Sequence, residues 1–122
     1  MFNLITMVYL HILDDFVLQG ILLSKLKQKK WWEIHPDYTN KYKHDYKIGL
    51  LMHSISWAYM IMLPIAYKMG FKVSNLFLVL FVLNVIIHGL IDDIKANKGR
   101  INLVQDQTIH LIQIFITYLL LK

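Results

Sequence analysis

The sequence predicts an all-α fold: a bundle of four transmembrane helices with a basic, aromatic-rich loop after the first. Three observations predict it. Hydrophobic residues make up 57% of the 122-residue chain and charged residues only 17%, against roughly 45–50% and 25% in soluble domains. So short a chain has too little interior to hide that much Leu, Ile, Phe and Met. Four apolar stretches, at about 1–24, 48–67, 73–94 and 102–121, match the ~20 residues a helix needs to cross a bilayer. The same composition excludes a disordered tail. The chain reads as one integral-membrane domain, 1–122, without repeats. It has no cysteine, which excludes disulfides, thiolate metal sites and a Cys nucleophile.

Each element has its own signal. Segment 1–24 is mostly apolar and carries His11, Asp14, Asp15 and Gln19 in its interior. It lacks a basic start and a small-residue cleavage site, so it is not expected to be a discarded leader. Segment 48–67 holds no Asp, Glu, Lys or Arg, and Pro64 lies near its end, where a bend costs little. Segment 73–94 has none of the four before Asp92, and Ser74 is a natural N-cap. Segment 102–121 opens on Asn102 with Gln105 three residues on, the pattern of a capping box. Gly70 punctuates the short second loop.

Charge sets the expected orientation. Residues 25–47 hold Lys25, Lys27, Lys29, Lys30, Lys41, Lys43 and Lys47, and the third loop adds Lys95, Lys98 and Arg100. With four spans these loops share a side, which is therefore expected to be cytoplasmic, with both termini outside. A bacterial inner membrane is the expected location, for a bacterial or a phage-encoded chain. Trp31, Trp32, Tyr38, Tyr42 and Tyr46 interleave with the lysines of the first loop. Beside a span they read as interfacial anchors, with the lysines on anionic lipid headgroups. The expected partners are thus the lipid bilayer and those headgroups; nucleic acid is not expected. A short interfacial helix fits in this loop. So small a spanning protein is also compatible with a homo-oligomer.

The polar residues inside the spans carry the chemistry. His35 and His44 belong to the first loop. His11, His53, His88 and His110 each fall in a different span. Three have an aspartate four residues away: His11–Asp15, His88–Asp92 and Asp106–His110. That spacing puts both side chains on one helix face. Gln19 extends the first polar face, Asn84 and Lys95 the third, Gln113 and Thr117 the fourth, while Ser56 and Trp57 flank His53. Depth agrees too. His53 is six residues from Lys47, His88 seven from Lys95 and His110 eight from Asn102, or roughly 9–12 Å from one membrane surface. Asp14 is too deep to be free, and Asp93 belongs near the surface.

Ionisable groups at such depth cost several kcal/mol unless paired, solvated or ligated. Imidazole and carboxylate suit Zn, Fe or Mn, and facing helices build such sites in soluble bundles. His11, His53, His88, His110, Asp15, Asp92 and Asp106 are therefore the candidate metal ligands. A purely structural role is the competing reading, in which the pairs fix helix register and Asp106 and Lys95 answer their helix dipoles.

The runs His11-Ile-Leu-Asp14-Asp15-Phe16-Val-Leu18-Gln19, His88-Gly-Leu-Ile-Asp92-Asp-Ile-Lys95 and Asp106-Gln107-Thr-Ile-His110 resemble an HxxxDFxLQ, HxxxDxxK and DQxxH signature. With His53 between them, the order resembles a family of small bacterial and phage integral-membrane proteins catalogued as domain of unknown function 3307. The resemblance covers nearly the whole chain and implies a four-helix membrane fold with the seven His and Asp residues grouped. It implies no activity. A looser similarity to bacterial membrane-bound metal-dependent hydrolases implies His and Asp chemistry within membrane helices.

Two functions follow as expectations. One is a metal-dependent hydrolase acting on an interfacial, lipid-like substrate. In it a metal activates water, an uncoordinated Asp15 or Asp92 is the general base, Lys95 binds an anionic group, and Gln19 and Gln107 orient it. The other is a non-catalytic membrane protein, a proton or ion path or a holin-like or phage accessory protein, with a structural His/Asp network. Neither a nucleophile elbow nor a Gly-rich phosphate loop is present in the sequence.

Overall fold

The computed structural model describes residues 1–34 and 40–122. His35, Asp37 and Tyr38 of the basic loop lie outside the described residues. Among the described residues all regular structure is helical: α1 (Phe2–Leu13), a π-helical turn (Asp14–Leu18), α2 (Gly20–Leu26), α3 (Lys29–Glu33), a 3-10 turn (Asn40–Tyr42), α4 (Asp45–Lys68), α5 (Asn75–Ala96) and α6 (Leu103–Leu121). The chain runs up and down, and α1 packs on α4, α4 on α5, α5 on α6, and α6 back on α1. Four rods thus close a ring.

Local chemistry sets the ends of these rods. Ser74 accepts a hydrogen bond from the Phe77 amide, and Asn102 and Gln105 form a reciprocal capping box. Pro64 sits inside α4 near its end, and the helix continues through it to Lys68.

The first segment departs from the continuous helix expected over 1–24. The Gln19 amide bonds to the Asp14 carbonyl at 2.8 Å, five residues back. This is a π turn, which inserts one residue into the helix. Gly20 then takes φ +62°, a conformation that glycine adopts without steric cost. Together they bend the chain by 85°, so that α2 lies across the end of the bundle. α3 follows within the basic segment. Trp32 stacks on Tyr42 there and donates its indole N–H to the Leu26 carbonyl at 2.8 Å.

α2 is held by a close approach. A Cβ on Gly49 would lie 2.8 Å from the backbone carbon and oxygen of Leu26 and 3.0 Å from the Lys27 nitrogen. Backbone cannot yield as a flexible side chain can. Gly49→Ala is expected to lift α2 and to lower stability by roughly 1–3 kcal/mol, read as a fall in the thermal midpoint in detergent.

Among the described residues two helices, α4 and α5, are long and apolar enough to cross a bilayer; the first rod and α2 make a third if the bent pair counts as one span. α6 has 19 residues, about 28 Å of helix. Gln105, Asp106, Gln107, His110 and Gln113 dilute its hydropathy. Asp106, His110 and Gln113 face inward and are buried, whereas Ile112, Phe115, Ile116 and Leu120 are about half exposed. α5 repeats the pattern, with Asn84, His88 and Asp92 buried and Val79, Val82, Ile86 and Leu90 outside. Polar groups inside and apolar ones outside reverse the distribution of a water-soluble bundle.

The interior has two halves. Met7, Ile61, Met62, Ile65 and Ile114 pack in one half, where Asn84, Gln113 and Thr117 form a buried hydrogen-bonded network beside Met62. The other end, where α1 stops, α4 starts, α5 stops and α6 starts, is polar. Trp57, fully buried, belongs to the apolar cluster and touches His11, His88 and His110.

Candidate metal centre

The four span histidines meet in this polar half. His11, His53, His88 and His110 are each at most 1% exposed. The four-residue pairs close as their spacing requires: His11 Nδ1 lies 3.5 Å from Asp15, His88 Nε2 3.9 Å from Asp92, and His110 Nε2 3.4 Å from Asp106. Tertiary packing then links the pairs. His53 Nε2 stands 3.4 Å from both Asp15 Oδ1 and Asp92 Oδ2, and His110 Nε2 stands 3.6 Å from Asp92 Oδ1. The His88 ring lies 4.2 Å from that of His110, 5.0 Å from that of His53, and is stacked 4.1 Å from Trp57.

Two groups of ligand atoms result. Asp15, His53 and His88 form one, and His88, Asp92 and His110 form the other, each with its atoms within 4.8 Å of one another. His88 belongs to both. Both ring nitrogens of His53, His88 and His110 are buried and lack a hydrogen-bond partner, as do Asp15 Oδ1 and Asp106 Oδ1. Buried polar atoms are nearly always paired, so this cluster of orphans stands out.

The remaining predicted residues surround these groups. His11 lies outside both, and its Nδ1 accepts the Trp57 indole N–H at 2.8 Å. Asp106 also lies outside both. Its Oδ2 accepts from Lys95 at 2.6 Å and from Gln107 at 3.1 Å. Gln107 donates as well to Asp15 Oδ2 at 3.2 Å. With its amide oriented to suit its neighbours, Gln19 donates to the Asp15 carbonyl at 3.1 Å and accepts from Lys27 Nζ at 2.8 Å. Asp14 is buried and accepts from Ser56 at 2.7 Å, joining the π turn to α4. Asp93 sits at the edge with Asn97 and Lys98.

Lys27 is the site residue that sequence reasoning missed. Its ammonium reaches Asp92 Oδ2 at 2.6 Å and is only 12% exposed. In the sequence it is one of seven lysines in a basic segment, and no spacing distinguishes it. Asn97 fastens its backbone in place by donating to the Lys27 carbonyl at 3.1 Å and accepting from the Lys29 amide at 2.7 Å.

The charges do not cancel. Asp14, Asp15, Asp92 and Asp106 bring four carboxylates into the cluster, and Lys27 and Lys95 bring two ammonium groups. With all four carboxylates ionised and the imidazoles neutral, two negative charges remain in a largely buried space. One divalent cation, or two imidazolium protons, would balance them.

No family model, curated protein or solved structure matches this chain.

Proposed function

We propose that the chain is an integral membrane protein whose four rods enclose a divalent metal centre at the cytoplasmic end of the bundle. One observation carries the reading: the orphaned ring nitrogens of His53, His88 and His110 sit 3.4–3.9 Å from carboxylate oxygens of Asp15 and Asp92. That is too long for good hydrogen bonds. An ion with bonds of about 2.0–2.1 Å in tetrahedral geometry separates its ligand atoms by about 3.3–3.4 Å. The two shortest spacings, 3.4 Å from His53 to Asp15 and to Asp92, match an edge of such a tetrahedron. His53, His88, His110, Asp15 and Asp92 would hold the ion. His11, Asp106, Gln107, Lys27 and Lys95 would orient and neutralise the carboxylates, as outer partners do in metal sites. Zn, Fe and Mn suit this mixed N/O set.

The inside-out distribution of polarity supports four spans, α6 included, since its polar residues face the site and not lipid. The lysine-rich segment at the same end supports a cytoplasmic site, with both termini outside. The signature shared with domain of unknown function 3307 supports membership of that family. When bound, the metal would supply activated water or Lewis acidity, and hydrolysis is the reaction class we assign. With the ion in the His88–Asp92–His110 group, Asp15 lies outside its ligands, and its unpaired Oδ1 would be the group to take a proton from water.

The charge deficit also favours a second reading, a proton-holding network in which two of the histidines are charged and no metal binds. Elemental analysis of detergent-purified protein separates the two. About one divalent metal per chain is expected. Protein that retains its fold and carries no metal, even after incubation with Zn, Fe or Mn salts, would establish the proton network instead.

A further inference from the structure

Asp15 has two faces. One belongs to the metal-ligand group with His53 and His88. The other lines an open cleft of about 790 Å³ between the π turn and α2, shared with Phe16, Gln19, Ser24, Lys25 and Gln28. The cleft exists because of the 85° bend. A straight helix would have carried Ser24, Lys25 and Gln28 away from Asp15; the bend folds them back beside it.

Its lining is two-toned. Phe16, Val17 and Ile21 are 58–78% exposed and form an apolar outer lip. The rest of the lining includes a lysine, Lys25, at the rim, a serine, Ser24, and two carboxamide residues, Gln19 and Gln28. Gln28 is steadied by donating to the Ser24 carbonyl at 3.1 Å. Gln19, in the wall, touches Lys27 Nζ, so a second ammonium lies just behind the polar lining. Cation and amide donors beside an apolar lip match an amphiphile with an anionic head, and phosphate oxygens are the acceptors such donors suit.

We propose that this cleft is a lateral binding site for a lipid bearing a phosphate headgroup, which approaches the metal centre from within the membrane plane. The proposal rests on the metal-centre reading and names its ligand. Lys25 and Gln28 hold the phosphate, Phe16, Val17 and Ile21 meet the start of the acyl chains, and Asp15 is where the headgroup comes up against the ion. Lys25, at the exposed rim, selects for negative charge. Lys95 is paired with Asp106 and does not line the cleft.

The test uses full-length protein in phosphatidylcholine nanodiscs, with dihexanoyl phosphatidic acid as the probe and native mass spectrometry as the readout. Metal content is measured on the same samples. Wild type is expected to retain the probe. Lys25→Glu is expected to weaken it about tenfold, the loss of one charge-assisted contact, and Lys25→Arg to restore it, with the same metal content in all three. Ser24→Trp, which fills the cleft, is expected to abolish retention. Equal retention by wild type, Lys25→Glu and Ser24→Trp at full metal content overturns the cleft proposal and leaves the metal centre standing. Competition by inorganic phosphate as strong as by the short-chain lipid overturns the lipid assignment. A wild type without metal overturns the metal centre, and this reading with it.

Discussion

Replacing His88 by alanine is expected to lower metal affinity by more than about 100-fold, because changing a mere outer partner already costs 10–100-fold. His88 is the residue common to both ligand groups and is wholly buried. Its removal dismantles both at once, whereas losing His53 or His110 leaves one group intact. The readout is competition against a chromophoric chelator. A cavity beside Trp57 would also cost roughly 2–4 kcal/mol, so the variant needs a packing control. His88→Phe keeps a flat ring against Trp57, which the native imidazole meets at 4.1 Å and 19°, but has no ligand atom. It is expected to accumulate better than His88→Ala and to bind no more metal. If both variants keep wild-type metal, the ion is not held here. If His88→Phe restores accumulation and metal together, the imidazole serves packing alone.

The second large effect concerns Lys27. Lys27→Met is expected to destabilise the bundle by roughly 3–5 kcal/mol, the cost of leaving one member of a buried ion pair alone. The ammonium and Asp92 are 12% and 4% exposed at 2.6 Å, so water cannot replace the lost partner. Asp92 also faces His53, His88 and His110, and its stranded charge would disturb all three. The double variant Lys27→Met/Asp92→Asn removes both charges and is expected to recover most of the loss in detergent unfolding. Additive losses would mean that the two residues act independently. Lys27→Met alone is expected to retain metal when it remains folded, because the ion itself can then neutralise Asp92.

Much of the site was legible before any coordinates. The spacing of His11–Asp15, His88–Asp92 and Asp106–His110 is a property of any α-helix, and the depths of the four histidines follow from helical rise and from the loop lysines. Ser74 and Asn102 announced their caps because capping is local. What stayed hidden depends on contacts distant in sequence. The continuous first helix was wrong beyond Asp14: the hydrogen bonds of a π turn hardly differ in sequence from those of an α turn, although Gly20 offered a hint. Lys27 could not be told from its neighbours, since its role requires that bend and the carbonyl–amide clasp of Asn97. The partner of His11 also needed tertiary structure, because the indole that donates to its Nδ1 comes from α4.

The residue order alone determined that this chain is helical, that its polar groups form stripes one turn long, and that those stripes lie at one level near a basic segment. Periodicity, composition and rise per residue are sufficient for that. Tertiary structure decided which nitrogens and oxygens meet, which carboxylates the lysines take, and which side of Asp15 opens to a cleft. Those outcomes turn on an 85° break and on ångström-scale approaches between rods, set by side chains that are far apart along the chain and adjacent only once it has packed.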